Sequence, residues 1–407
     1  MKTVWIINQY GSTPDTGLGG RHYYLATELA KLGYKVCLIA SSSHHLLREK
    51  PVFQKQFKVQ TAEGFDFIWV NMPRYGEAHS KMRVLNWFLF PLRILKLPSV
   101  IFDRPDAVLV SSPSPLAFLG AQRLAKKYSA RLLFEVRDIW PLTLIEIGGY
   151  SPKNPLVRLM QWVEDRAYRD SDAVISNLKN SVDHMVSRGL PSEKFTWIPN
   201  GFSKDEVLNP EPLNSDVLGL IPKNKFLVGY TGTFGLANDL SNLIEAAALL
   251  KSHPAIHFVL VGGGKDKEIL INRVAELNLN NITFLDYIGK KQIPSMLTVF
   301  DVLVVGAKNQ PMYRFGVSPN KLFDYMISGK PVLYYIDSGD YHPIRDADCG
   351  FEVEPEKPQK LSDAILSMYR MPPHERERLG DNARKAALEQ YEYGKLAEKL
   401  SATLFLQ

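Results

Sequence analysis

Cysteine is nearly absent: the 407 residues include only two. Cys37 lies in an apolar run and Cys349 precedes a glycine, with no CxxC or Cys/His cluster around either. That excludes a disulfide framework and a zinc site, and a reducing compartment is expected. No apolar stretch reaches the ~18 residues that suggest a membrane-spanning helix. The run Val4-Trp5-Ile6-Ile7 near the amino terminus is too short for a signal peptide and has no small-residue cleavage site. It reads as the first strand of a fold in a cytoplasmic protein. The nine histidines show no HExxH spacing. No Ser-His-Asp order, GxGxxG fingerprint or Walker A loop occurs, which weighs against zinc hydrolases, triad hydrolases, dinucleotide oxidoreductases and P-loop enzymes. Charge of one sign is also scarce. Lys and Arg total 49 against 43 Asp and Glu, a net charge of +6. So small an excess fits an anionic small ligand or a membrane surface better than a nucleic acid.

The composition, 45% hydrophobic and 23% charged, is that of a globular protein with real cores. Its length implies two or three domains. Short apolar runs at Val4–Ile7, Val36–Ala40, Phe67–Val70, Ala107–Val110 and Leu132–Val136 read as buried strands. Amphipathic segments at Arg21–Leu32, Leu116–Tyr128 and Leu156–Arg169 read as helices. After Pro199-Asn200-Gly201, the breaker-rich stretch Ser203–Lys225 reads as a linker. The pattern then restarts. Strands are expected at Phe226–Tyr230, His257–Val261, Ile282–Leu285, Val302–Val305 and Val332–Tyr335. Helices are expected at Leu240–Lys251, Asp266–Leu277, Asn320–Ser328 and Leu361–Arg370. Alternation of this kind predicts an α/β protein with two doubly wound, Rossmann-like parallel sheets. Ligands of such sheets bind beyond the carboxyl ends of the strands, so two of them are expected to face one interdomain cleft.

The motifs fall in those end loops. Gly17-Leu18-Gly19-Gly20-Arg21-His22 precedes the first helix, where glycines allow close backbone approach and free N–H groups attract anions. The plain alternative is a flexible turn. Phe134-Glu135-Val136-Arg137-Asp138-Ile139-Trp140-Pro141 ends a strand. Its two carboxylates beside an arginine suit acid/base work or sugar recognition, and a surface Arg137–Asp138 pair is the alternative. Asp138 is the first candidate for orienting or deprotonating an acceptor hydroxyl, and Glu135 the second. Tyr230-Thr231-Gly232-Thr233 and Gly262-Gly263-Gly264 are glycine-containing loops whose amides could cradle a diphosphate. Ser318-Pro319-Asn320-Lys321 predicts a helix start, with Ser318 as N-cap and Pro319 first in the helix. Lys321 in the first turn opposes the helix dipole, and a bound anion would reconcile it. Asp324, one turn on, suits ribose hydroxyls. A solvated Lys321 paired with Asp324 is the alternative. The triplets Asp170-Ser171-Asp172 and Asp346-Ala347-Asp348 could hold Mg²⁺ but read as surface turns.

Together these motifs resemble the retaining GT-B glycosyltransferases of family four (GT4) over essentially the whole chain. The most specific stretch is Ser318-Pro319-Asn320-Lys321-Leu322-Phe323-Asp324-Tyr325-Met326 with Gly329-Lys330-Pro331-Val332. Gly19-Gly20-Arg21, Arg137-Asp138-Ile139-Trp140-Pro141, Ile198-Pro199-Asn200-Gly201 and Tyr230-Thr231-Gly232 support it. The Arg-Asp-x-Trp-Pro and Ser-Pro-Asn-Lys pair is similar to the WbuB-like subgroup, which builds O-antigen and capsule units and often handles N-acetylfucosamine-type sugars.

The resemblance implies a GT-B enzyme with an amino-terminal acceptor domain (1–203), joined by a returning carboxyl-terminal helix (388–407), and a nucleotide-sugar domain (204–387). It implies a UDP-sugar donor and metal-independent transfer with retention, by front-face attack assisted by the departing phosphate. Donor contacts fall to Gly19, Gly20, Gly232, Thr233, Gly262, Ser318, Pro319, Asn320, Lys321 and Asp324. Acceptor contacts fall to Arg21, His22 and Arg137. The family's Glu-x7-Glu motif puts its second acid at Asp324 and its first at Gly316, where this chain has none. A His-Asp pair common among relatives is Arg137-Asp138 here. Two other readings stand beside this one, a UDP-sugar 2-epimerase and a two-lobed sugar-binding protein without turnover. Finally, Lys81–Lys96 mixes basic residues with Trp87, Phe88 and Phe90. It is expected to lie in the interface at the cytoplasmic face of the inner membrane, bringing the enzyme to a lipid-linked acceptor. The plain alternative is a core helix.

Overall fold

The computed structural model describes residues 1–17, 19–76 and 80–405. Leu18 of the first glycine loop, and Leu406 and Gln407 beyond the last helix, lie outside the described residues. The chain forms two compact units, Met1–Pro199 with Tyr393–Gln407, and Asn200–Glu392.

The first unit is built on an eight-stranded sheet. Its strands are β1 (Thr3–Ile7), β2 (Lys35–Ser41), β3 (Phe57–Ala62), β4 (Phe65–Val70), β5 (Ala107–Ser111), β6 (Arg131–Val136), β7 (Ala173–Ser176) and β8 (Phe195–Trp197). They lie in the order β3-β4-β2-β1-β5-β6-β7-β8. Val4 sits opposite Val36 on one side and Ala107 on the other, both pairings parallel. Central strands covered on both faces need apolar side chains throughout, and β1 (Thr-Val-Trp-Ile-Ile) is wholly buried. The expected all-parallel sheet has one exception: β3 runs antiparallel to β4 at the edge. Sequence reading missed β3 because one face of an edge strand is wet, and Lys58-Val59-Gln60-Thr61 lacks an apolar run.

Helices α1 (Arg21–Lys31), α2 (Lys81–Ile94), α3 (Ala117–Tyr128) and α4 (Pro155–Asp170) cover this sheet. Helix α2 runs through Pro91. The carboxyl-terminal helix Tyr393–Leu404 returns to this unit. Its Leu396, Ala397, Leu400 and Leu404 join the core that includes Leu25, Ala26 and Leu29 of α1. The stretch expected as one helix from Leu388 is in fact two, broken at Tyr391-Glu392 after Gln390.

The second unit has six parallel strands in the order β11-β10-β9-β12-β13-β14. These are β9 (Phe226–Thr233), β10 (Ile256–Gly263), β11 (Ile282–Leu285), β12 (Val302–Gly306), β13 (Val332–Tyr335) and β14 (Gly350–Glu352). Helices α5 (Leu240–Leu249), α6 (Lys267–Glu276), α7 (Asn320–Ile327) and α8 (Pro373–Gln390) accompany them. The stretch read as a linker carries two short helices, Lys204–Leu208 and Ser215–Leu220. In each sheet the strand order reverses once, between β1 and β5 and between β9 and β12. Such reversals splay the connecting loops apart and leave a crevice at the carboxyl ends.

Candidate functional site

In the first unit, the reversal gathers the ends of β1, β5 and β6 around Glu135. This carboxylate is buried. It accepts from Arg21 Nε at 2.8 Å and Ser111 Oγ at 2.5 Å, and pairs with His22 Nε2. His22 Nδ1 lies 2.8 Å from the Asn8 amide nitrogen. An amide nitrogen only donates, so Nδ1 accepts and the proton sits on Nε2 of a neutral ring. Burial, the largest influence, lowers the His22 pKa despite Glu135. Burial also works against ionised Glu135, but His22, Arg21 and Arg137 together hold its carboxyl well below the usual range. A buried charge persists only when paired in this way. Arg21 also donates to the Pro199 carbonyl. Arg21 Nη2 and Arg137 Nε are buried without a hydrogen-bonding partner among the described residues. Two such cationic donors beside a strand-order reversal suit an oxygen-rich ligand.

Asp138 sits apart from Glu135. Its Oδ2 accepts from Trp140 Nε1 at 2.8 Å and its Oδ1 from Thr143 Oγ1 at 2.6 Å. The expected alternative, an Arg137–Asp138 ion pair, does not occur; the Arg137 and Asp138 backbone N–H groups both reach Ser112 Oγ. Gly20, with φ 80°, precedes α1, and a Cβ there would meet nothing within 4 Å. It is a glycine for its conformation and not for crowding.

In the second unit, the reversal brings α7 against the end of β9. The helix starts one residue later than expected: extended Pro319 is the N-cap, and Ser318 makes no capping bond. Ser318 Oγ instead accepts from the Asn200 N–H at 2.8 Å. Lys321 remains in the first turn, but it is neither solvated nor paired with Asp324. Its Nζ donates to Tyr230 Oη and Asn238 Oδ1, each at 2.7 Å. It lies 4.3 Å from the centre of the Tyr230 ring. Among the described residues no carboxylate pairs with it, and burial lowers its pKa to about 7. Tyr230 Oη in turn donates to the Thr233 carbonyl at 2.8 Å, and Asn238 Nδ2 donates to the same oxygen at 2.9 Å.

Gly232 and Gly262 face each other in register. A Cβ on Gly262 would stand 2.0 Å from the Gly232 carbonyl oxygen, so only glycine lets the two strand ends close up. Asn320 is exposed at the start of α7. Asp324 lines a groove of about 340 Å³ with Glu206, Lys290, Ile293 and Arg384. Burial raises its pKa to about 7, with Lys290 opposing.

Sequence reading missed Tyr287. Its ring lies against Gly263, its hydroxyl donates to the Gly263 carbonyl at 2.6 Å, and the residue is 67% exposed. An exposed yet tethered ring is recognisable only once β10 and β11 are side by side. Lys267 was missed as well; it pairs with Asp286 at 2.5 Å and reaches toward the Gly262 carbonyl.

The membrane triad divides. Phe88 is exposed, but Trp87 and Phe90 are buried. Trp87 donates to Tyr10 Oη at 2.8 Å and packs edge-on against Trp140, which fixes it in the core. The acid triplets are occupied structurally: Asp170 accepts from Gln122 and Arg169, Asp172 from the Leu132 N–H, and Asp348 from Arg378.

Two facing-glycine strand ends and a half-buried lysine at the reversal of one doubly wound sheet, with a second such sheet in the same chain, are the architecture of a GT-B glycosyltransferase. Residues 16–201 match the model of the glycosyl transferase 4-like domain, and residues 217–386 that of the group 1 glycosyl transferases. The chain belongs to glycosyltransferase family four and is an enzyme of that class. WcaI of Escherichia coli K12, assigned to colanic acid biosynthesis as a glycosyl transferase, is 22% identical over 374 residues, covering 88% of this chain and 90% of WcaI. Sucrose-phosphate synthase of Thermosynechococcus elongatus superposes with a TM-score of 0.72 at 16% identity, covering 98% of each chain. Anabaena HepE, crystallised with UDP-glucose, superposes at 0.63 and 17% identity over 99% of each chain.

Proposed function

We propose that this enzyme transfers a sugar from a UDP-sugar to a lipid-linked acceptor in bacterial surface polysaccharide synthesis, with retention and without a metal ion. One observation carries the donor half of this reading. Lys321 is a half-buried amine at the strand-order reversal, held by neutral groups and without a carboxylate partner among the described residues. A diphosphate supplies the missing counter-charge. As the sugar–phosphate bond breaks, charge grows on the departing oxygen, and a fixed ammonium stabilises that state more than the ground state. Gly232 and Gly262 leave the strand ends bare for phosphate approach. Tyr287 offers a fixed ring for the base, and Asp324 a carboxyl for the ribose. HepE, with its bound UDP-glucose, supports the choice of UDP. WcaI supports a polysaccharide product, and the Arg137-Asp138-Ile139-Trp140-Pro141 resemblance supports an N-acetylated deoxyhexosamine and an O-antigen or capsule unit.

In the first unit, Asp138 is held by Trp140 and Thr143 in one orientation, ready to accept a hydrogen bond from an acceptor hydroxyl. Glu135 acts separately, fixing Arg21 and His22. The departing phosphate takes the acceptor proton, so no separate general base of high pKa is needed.

The test is a panel of nucleoside diphosphates and their sugars, read first as thermal stabilisation and then as product, in EDTA throughout. UDP and one UDP-sugar should raise the melting temperature, and UDP should be released only when a lipid-linked acceptor is present. Release without acceptor would identify an epimerase or hydrolase. Stabilisation by a sugar with no product would identify a binding protein. No response to any nucleoside diphosphate overturns the proposal.

A further inference from the structure

The correction to the membrane triad leaves an unexpected surface. Helix α2 buries Asn86, Trp87, Phe90, Pro91 and Ile94. Its opposite face carries Met82, Leu85, Phe88 and Leu92, each 36–56% exposed. Spacings of three, three and four put these on one stripe of the helix. A soluble helix normally carries polar side chains there.

The stripe runs on into a groove. Phe88, Leu92, Leu119, Leu159 and Trp162 line an open cavity of about 870 Å³ over α2, α3 and α4. Trp162 is half exposed, and the Arg166 guanidinium lies 5.6 Å from its ring. Basic side chains predominate around this surface, whose lining also holds Asp170 and Asp172, the latter accepting from the Leu132 N–H. Helices α2 and α3 carry Lys81, Arg83, Arg93, Arg123, Lys126 and Lys127, and neither contains an Asp or Glu. Arg83 turns away to the rings of Tyr10, Trp87 and Trp140. Arg123 and Lys126 stand exposed on the groove itself. Asp170, at one end, is already satisfied by Gln122 and Arg169.

We infer that this face of α2, α3 and α4 docks on an anionic phospholipid bilayer, with Met82, Leu85, Phe88, Leu92 and Trp162 entering the interface and Arg123 and Lys126 meeting headgroup phosphates. Apolar residues with a basic rim match such a surface on both counts. A nucleic acid would use the charge and leave the leucines in water. A second copy of the chain would bring like charge against like. The inference extends the lipid-linked acceptor reading and is measured without it.

The experiment uses the whole chain with vesicles of phosphatidylcholine alone or mixed with phosphatidylglycerol, and no acceptor or donor. Wild type should co-sediment with the anionic vesicles and be released by salt. Phe88→Ser/Leu92→Ser should partition at least about tenfold more weakly, with an unchanged melting temperature. Brominated lipid should quench tryptophan fluorescence in wild type and much less in Trp162→Phe. Absence of binding at low salt, or equal binding by the double variant, overturns the inference. So does a dimer by light scattering that dissociates in the double variant, which would make the face a self-association surface. Transfer to a short-chain soluble acceptor should be the same in wild type and variant. If that activity is missing from both while vesicle binding behaves as stated, the transferase reading has failed and the docking inference has not.

Discussion

Lys321 shows how far one side chain can be derived. A lysine behind Ser318-Pro319 belongs to a first helical turn, and a cation there asks for an anion. The structure adds that Tyr230 and Asn238 hold it and that burial brings its pKa down to about 7. The sign of the pH effect follows. Above pH 7 the unliganded lysine is mostly neutral, and a bound diphosphate restores its proton. UDP binding should therefore take up a proton between about pH 7 and 10, with affinity falling by up to about tenfold per pH unit. Calorimetry in buffers of different ionisation enthalpy reads that uptake directly, and Lys321→Met should abolish it. Lys321→Ala should lower turnover by about 10²–10³; near-normal kcat/KM would remove the lysine from the mechanism. Asp138 makes the complementary case. Asp138→Asn keeps an acceptor for Trp140 and a group to meet Thr143, so the melting temperature should change little. Transfer should fall while UDP affinity stays, and an equal loss of both would mark a structural role.

At the scale of elements, the glycine-containing strand ends were legible as loops, but the reason for each glycine was not. Gly262 has φ 136°, and a Cβ there would overlap the Gly232 carbonyl of the neighbouring strand. Backbone cannot step aside as a side chain can, so Gly262→Ala should cost about 3 kcal/mol, seen as a lower urea midpoint for the second unit. Tyr287 belongs to the same pair of strands. If its ring carries the base, Tyr287→Ala should weaken UDP by about 1–3 kcal/mol, the usual value of base stacking on an aromatic ring. Ribose 5-diphosphate should bind both proteins alike. Tyr287→Phe keeps the ring but loses the tether to Gly263, and should fall between. Equal weakening of both ligands would count against the ring's role.

For the whole molecule, the chain ends in the unit where it began. Tyr393 stacks on Tyr24 and Phe405 on Tyr34, while Leu396, Leu400 and Leu404 are buried. At about 1.5–3 kcal/mol for each large apolar side chain, removing residues 393–407 takes away as much as many domains have in total. The truncated chain should lose protease resistance in Met1–Pro199 first. Acid should also act on this unit first. His22 and Glu135 both have lowered pKa values, from reference values of 6.5 and 4.5. A lowered pKa gives stability above the unfolded value that is lost as pH falls. Melting should therefore decline in two stages, as pH falls below about 6.5 and again below about 4.5, and His22→Gln should flatten the first.

The sequence by itself determined the α/β class, most buried strands, the position of the break near Pro199 and the family. Those rest on local pattern: apolar runs, helical spacing and a contiguous Ser-Pro-Asn-Lys motif read the same in any context. Only the tertiary structure decided what depends on distant neighbours. Glu135 became a buried anchor because Arg21, His22 and Ser111, far off in sequence, converge on it. Trp87 and Phe90 went inward and Phe88 outward because α2 lies against α3 and the sheet, and a helix can bury only one face there. Ser318 gave up its expected cap because Asn200, 118 residues earlier, offered it a partner. Tyr287 acquired its fixed ring because β10 and β11 run in parallel and leave Gly263 beneath it.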